Sequence, residues 1–193
     1  VSRLNQTVVF PAKTMIAAAM NPCKCGFFPD LGKCRCTPTQ IRRYLNRVSG
    51  PFLDRIDIGV EVPRQDLGMM AAEKSIDEGS FPQTEQRNSS AVMRARVMEA
   101  RDRQEKRFAD ESISYNSQMT RRQLEEHCRL SGEDAVFLEK VERQQGISAR
   151  GHGKILKVAR TLADLDGQAE IGRTQLAEAI GFRSFEKKYW GSL

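Results

Sequence analysis

The chain has 193 residues, enough for one large domain or two small ones and for a real buried core. Its net charge of +6 and pI near 9.2 permit a nucleotide or nucleic-acid partner without requiring one. No signal-peptide pattern and no apolar run of membrane-spanning length is present, which argues against secretion and membrane insertion; a cytoplasmic protein with no membrane partner is expected.

Val1 to Pro11 reads as β-rich, with Asn5-Gln6 between two strand-like runs, so part of a hairpin is expected. Thr14 to Met20 is almost wholly apolar and closes on Asn21-Pro22, which suits a buried parallel strand; a buried helix is the alternative. Cys23 to Cys36 is a loop containing Gly26, Pro29 and Gly32. Thr37-Pro38-Thr39-Gln40 then opens a helix, with Thr37 as cap, Pro38 in the first turn and Gln40 closing a capping box. Ile41, Tyr44, Leu45 and Val48 make its inward face, Arg42, Arg43 and Arg47 lie off that face, and Gly50-Pro51 is expected to stop it. Ile56, Ile58, Val60 and Val62 alternate with Asp57, Gly59 and Glu61, the period of a half-buried strand.

Pro63 to Asn88 has weak periodicity and reads as a linker with one short helix near 70–76. Ser89 or Ser90 caps a long helix to about Phe108, with Met93, Val97, Ala100, Gln104 and Phe108 inward. Its arginines and lysines alternate with Glu99, Asp102 and Glu105 and read as a solvated face. Further helices start at the Thr120-Gln123 capping box, at Ser131 and at Ser148. The last of these turns Ile155, Leu156, Ala159, Leu162 and Ala163 inward and ends at Gly167. Ile171 is a short extended contact, and Thr174 opens a last helix. The expected organisation is an α/β part over 1–63, a linker over 64–88 and an all-helical domain over 89–193.

Four of the five cysteines, Cys23, Cys25, Cys34 and Cys36, form a C-x-C-x8-C-x-C pattern. Two close thiolate pairs across a short loop suit a tetrahedral soft cation, zinc above all, with a filled shell and hence a structural role; disulfides or unrelated buried thiols are the alternative. The placement fits a reducing compartment. Asn21 ends an apolar segment, where an amide can orient water against a phosphate or simply start a turn before Pro22. Arg55 carries a permanent planar charge suited to a transferring phosphoryl group, or to a salt bridge with Asp54 or Asp57. Arg150 lies in the first turn of the Ser148 helix, where backbone N–H groups and a cation favour an anion, although Gly151 and Gly153 weaken that helix start. His127 and His152 have no metal-ligand partner at i+3 or i+4. Cys128 sits at core spacing.

MNPCKCG, CRCTPTQIRRYLNRVSGPFLDRIDIGVEVP, ISARGHGKILKVARTLADLDG and EAIGFR together resemble the bacterial Mg-chelatase-like AAA+ ATPases of the ComM/YifB group, over nearly the whole chain. The resemblance implies the C-terminal part of a AAA+ core, with its last strands around a zinc loop, followed by a helical lid. It makes Asn21 the sensor-1 residue, Arg55 the arginine finger that reaches a neighbouring subunit's ATP, and Arg150 the sensor-2 arginine on its own subunit's γ-phosphate. The implied ligands are structural zinc, and ATP with Mg2+ in a longer protein. The implied partners are its own copies in a hexameric ring, and DNA. No G-x-x-x-x-G-K-[S/T] occurs, so this stretch is expected to be cut inside the ATPase core and to hydrolyse nothing alone.

The implied work is ATP-driven DNA remodelling, such as branch migration in recombination and transformation. A zinc-stabilised basic module that grips nucleic acid without hydrolysis is the competing function class. A motor for metal insertion into a porphyrin is a third, and the cysteine cluster argues against it.

Overall fold

The computed structural model describes residues 2–3, 6–10, 14–63 and 89–191. Two compact units divide the chain, residues 1–47 and 48–193.

In the first unit, β1 (Ser2–Arg3) and β2 (Gln6–Thr7) pair antiparallel, Ser2 with Thr7 and Arg3 with Gln6. The expected α/β architecture is otherwise overturned: beyond this two-residue pairing the described residues contain no strand and the regular structure is helical. Thr14–Met20 has no regular structure, and Met15 is 93% exposed rather than buried. An extended apolar segment becomes a strand only where neighbours take its N–H and C=O groups. No neighbour does so among the described residues. Ile56–Val62 makes only isolated backbone bonds, Gly59 N–H to Phe182 O and Arg183 to Ile56 O, to helix-flanking residues rather than to a parallel or antiparallel ladder, and Ile58, Val60 and Val62 are exposed.

The helix α1 (Pro38–Leu45) forms as its cap requires. The Gln40 N–H donates to Thr37 Oγ1 at 3.3 Å and the Thr37 N–H to Gln40 Oε1 at 3.0 Å. Ile41 and Leu45 are buried. The helix stops at Asn46, before the expected Gly50-Pro51. Those two residues instead start α2 (Gly50–Leu53) in the second unit, because Ser49 Oγ accepts the Phe52 N–H and proline is tolerated in a first turn.

The second unit is built on α3 (Ser90–Arg107), α4 (Arg121–His127), α5 (Gly132–Gln145), α6 (Ala149–Leu165), α7 (Arg173–Gly181) and α8 (Ser184–Trp190), with a 3-10 turn at Asn116–Gln118. Ser89, Ser131 and Ser148 cap α3, α5 and α6 through their hydroxyls. Gly167, at φ +72°, closes α6 in a Schellman pattern: Gln168 N–H donates to Ala163 O and Gly167 N–H to Asp164 O. The helix α6 is central, packing on α3, α4 and α7. Ile155, Leu156, Ala159 and Ala163 meet Phe108, Cys128, Leu138, Ile171 and Leu176 in one core. The inward stripe of α3 holds only in its second half: Ala100, Gln104 and Phe108 are buried, while Met93 and Val97 are exposed. The short helix expected near 70–76 lies outside the described residues.

Under that core runs a polar network. Asp164, fully buried, accepts a bidentate pair from Arg107 and a bond from Asn116 Nδ2, and is also ion-paired with Arg160 at 3.1 Å. Arg160, itself buried, donates onward to the carbonyls of Gln168 and Ala169. These bonds tie α3, the 3-10 turn and the exit of α6 together, and they satisfy groups that burial would otherwise penalise.

Candidate functional site

The cysteine loop of the first unit is made by two turns. Gly26, at φ +80°, donates its N–H to Cys23 O, which folds Cys25 back beside Cys23. Asp30 O then accepts the N–H groups of Lys33 and Cys34, returning the chain to the first pair. None of the five cysteines is joined in a disulfide in this structure. The sulfur of Cys23 lies 3.3 Å from that of Cys25 and 3.8 Å from that of Cys34, and Cys25 and Cys34 are 3.6 Å apart. All four sulfurs, Cys36 included, lie within 4.8 Å of one another. A metal with bonds of about 2.3 Å to four tetrahedral sulfurs spaces them about 3.8 Å apart, so the cluster can hold a metal ion.

The thiols are electrostatically unequal. Backbone hydrogen bonds at Phe27 and then Arg35 lower Cys25 to about 6. At Cys34 a backbone bond from Cys36 pulls down, but desolvation and the Cys25 and Cys23 sulfurs together outweigh it and raise the thiol to about 11. Cys36 is raised in the same way, against a backbone bond at Cys25. A cation among these sulfurs would favour the ionised form of every ligand cysteine. Asn21 is exposed two residues before the cluster.

In the second unit, the segment after α2 lies along α6, α7 and α8. Lys154 Nζ donates to Arg55 O at 2.5 Å and pairs with Asp57 at 2.8 Å. Buried Arg183 donates to Ile56 O at 2.9 Å, the Gly59 N–H donates to Phe182 O, and Lys188 pairs with Glu61 at 2.6 Å. Gly59 is required here, because a Cβ would sit 2.2 Å from the Phe185 ring.

Asp54 is the junction. Its carboxylate accepts from Ser148 Oγ and Arg150 Nη1, each at 3.4 Å, and stands 3.8 Å from Arg183 Nη2. Arg150 remains 67% exposed. Arg55, the next residue, takes neither of the salt bridges open to it in the sequence. Its guanidinium is exposed and donates to Pro51 O at 2.6 Å, and no carboxylate pairs with it among the described residues. The glycines after Arg150 have a packing reason. A Cβ on Gly151 would lie 2.7 Å from Ile147 Cγ2, and one on Gly153 would lie 3.3 Å from Leu124 Cδ1. Small residues let the first turn of α6 seat tightly and hold Arg150 beside Asp54.

The two histidines hold carboxylates: His127 Nε2 meets Glu111 at 2.6 Å and His152 Nδ1 meets Glu142 at 2.7 Å. Cys128 is buried at 4% exposure, and desolvation raises it to about 11. Among the described residues no helix is long and apolar enough to cross a membrane. Sequence reasoning missed Asp54, Lys154 and Arg183 as site residues. The sequence does place Asp54 and Arg183 inside the LDRID and GFR motifs, which is the signal that was available.

Comparison with known proteins places the chain. The family described as magnesium chelatase, subunit ChlI C-terminal, matches residues 87–183, and magnesium chelatase, subunit ChlI, matches residues 1–70. The chain is 40% identical to competence protein ComM of Haemophilus influenzae over 95% of its own length and 33% of that protein. It is 38% identical to uncharacterized protein YifB of Escherichia coli over 96% of its length and 34% of that protein. An uncharacterized protein of Mycobacterium bovis is 30% identical over 94% of the chain and 34% of its own length. The chain therefore spans about a third of the length of the curated relatives it matches. On both family matches and on these relatives, it belongs to the Mg-chelatase-like family of ComM and YifB.

Proposed function

We propose that this chain is the sensor and lid portion of a hexameric AAA+ ATPase that couples ATP hydrolysis to DNA remodelling, of the branch-migration kind used in recombination and transformation. The observation that carries the reading is the arginine corner. Arg150 meets the carboxylate of Asp54, and Arg55 is the residue beside it. Both guanidiniums are exposed, Arg150 beside the Asp54 carboxylate and Arg55 on Pro51 O, and such charges suit the loose, charge-dispersed transition state of phosphoryl transfer, where catalysis is positioning and electrostatics. Arg55 is the arginine finger, Arg150 contacts nucleotide phosphate, and Asn21 orients the attacking water. The relative named as a competence protein supports DNA as the substrate.

Zinc is the metal we assign to Cys23, Cys25, Cys34 and Cys36. Four sulfur ligands leave no open position, so the ion supplies structure and no chemistry. The loop residues fix the turn into α1, and their backbone N–H groups stabilise the thiolate charge, as Phe28 N–H does toward Cys23 at 3.4 Å.

The test uses the longer protein that also carries the phosphate-binding loop. Arg55→Ala should leave nucleotide binding nearly intact and cut hydrolysis by about 10³-fold or more, because its charge acts mainly in the transition state. Normal turnover in Arg55→Ala would make Arg55 a structural residue and sink the assignment. A longer protein that binds DNA but never turns over ATP would favour the competing reading, a zinc-stabilised basic module.

A further inference from the structure

The net charge of the chain is unevenly placed. Residues 1–47 hold eight of the 31 Lys and Arg but only one of the 25 Asp and Glu, a net of +7, which leaves 23 against 24, or −1, for residues 48–193. Four thiolates on a divalent ion would remove about 2 of those charges and leave the first unit strongly basic.

We propose that this unit carries a contact surface for the phosphate backbone of a nucleic acid, made by Arg42, Arg43 and Arg47 of the α1 face together with Lys24 and Arg35 of the cysteine loop. The buried residues of α1 are Ile41 and Leu45. The opposite stripe, Thr39, Arg42, Arg43, Asn46 and Arg47 at i, i+3, i+4, i+7 and i+8, lines a shallow groove. Lys24 and Arg35 each stand between two ligand cysteines, in Cys-Lys-Cys and Cys-Arg-Cys, and both are exposed. A metal-held loop presents such side chains from a backbone already ordered, which lowers the cost of binding.

Acid content separates the two units, one Asp against eight Lys and Arg in the first and 24 acids against 23 in the second. Among the described residues no carboxylate meets Lys24, Arg35, Arg42, Arg43 or Arg47, and the single acid, Asp30, stands 3.8 Å from Lys33. In the more acidic second unit several cations, Arg107, Arg150, Lys154, Arg173 and Lys188 among them, have acidic partners. Unpaired arginines crowded on one short helix repel one another and favour a polyanion. Their planar forks match phosphate, and Thr39 and Asn46 add neutral donors of the kind that position a backbone. The groove has no apolar anchor, so it fits a nucleic-acid strand better than the hydrophobic centre of a protein interface.

The choice of polyanion rests on the DNA-remodelling reading, and the test omits ATP so that a failed surface and a failed motor give different results. Binding of the 193-residue chain to fluorescent oligothymidine and to a mixed-sequence duplex is followed by anisotropy between about 50 and 200 mM KCl. The triple variant Arg42→Ala, Arg43→Ala, Arg47→Ala should bind about ten- to hundredfold more weakly at low salt. Its plot of log K against log salt should be shallower by roughly 2 to 3, at about 0.7 per lost phosphate contact on a single strand and 0.9 on duplex. Metal content should stay at the parent value, which separates lost contacts from a lost fold. The control Arg121→Ala with Arg143→Ala removes two exposed arginines that are paired with Glu125 and Glu139, and it should bind as the parent does. Weakening on one nucleic-acid form alone identifies that form as the ligand. An unchanged slope in the triple variant, an equal loss in the control, or binding to polyglutamate but not to either nucleic acid would overturn the proposal. Loss of ATP turnover in the longer protein with the arginine-dependent DNA binding intact would refute the motor and leave this surface standing.

Discussion

Gly151 shows how one missing side chain sets the position of a charged one. In an exposed helix, Gly→Ala stabilises by about 1 kcal/mol. Here a Cβ would meet Ile147 Cγ2 at 2.7 Å, in the turn that carries Ser148 and Arg150. The β-branched Ile147 has few rotamers to move into, so we expect Gly151→Ala to be net destabilising by about 1–3 kcal/mol, the usual range for overpacking. The clash is specific, and that makes the expectation checkable. In an Ile147→Ala background the same substitution should turn neutral or stabilising, since only the propensity gain remains. Denaturant melts of the four proteins give the cycle, and a Gly151→Ala cost that is equal in both backgrounds would show that packing on Ile147 is not the reason for the glycine.

Elements whose causes are local were legible in the sequence, and elements whose causes are distant were not. Thr37, Ser89, Ser131 and Ser148 cap their helices because the hydroxyl and the N–H it accepts are three residues apart. The strands expected at 14–20 and 56–62 depended on neighbours that alternation cannot supply, and α8 was missed because its short stretch of mixed aromatic and charged residues has no clear stripe. The Asp54 corner joins residues 96 positions apart and the Arg107–Asp164 pair residues 57 apart, so no spacing rule reaches them. Clustered pairs of cysteines were legible because the loop between them is short. At this scale the metal is testable: we expect one tightly bound zinc per chain and none after Cys34→Ser with Cys36→Ser. A parent without metal, or a variant that retains it, would rule the site out. The contact of α7 with α5 gives a pH test. Asp134 lies below its ordinary 3.8 because Arg173 and then Ser131 hydrogen-bond its carboxylate. A carboxyl lowered in the folded state stabilises fully above its unfolded value, and that contribution disappears as pH falls through the folded value. Asp134→Asn should therefore melt below the parent at pH 7, with the gap closing at pH values under about 4. A gap that is constant down to acid pH would mean the ion pair contributes nothing.

At the scale of the whole molecule, the shared corner constrains how a ring would use its arginines. The family resemblance implies a finger, Arg55, acting on a neighbour's nucleotide and a sensor, Arg150, acting on its own. Yet Arg150 is bound to Asp54 within the same compact unit, and Asp54 is the residue before Arg55. If that corner persists in the ring, Arg150 stays tied to the residue next to Arg55, an arrangement in which both arginines would meet the same nucleotide, held by the neighbour's phosphate loop. Mixed rings of the longer protein distinguish the two arrangements. Combining Arg55→Ala subunits with subunits defective in the phosphate loop should restore part of the activity under either arrangement, because some interfaces pair an intact loop with an intact finger. That recovery shows that mixed rings form. Combining Arg55→Ala with Arg150→Ala subunits is the decisive case. With both arginines on one edge, every interface lacks one of them and no activity returns. With Arg150 serving its own subunit's nucleotide, an Arg55→Ala subunit supplies loop and sensor, an Arg150→Ala neighbour supplies the finger, and that interface is complete. We expect no recovery from this second mixture; recovery matching the first would assign the two arginines to different nucleotides.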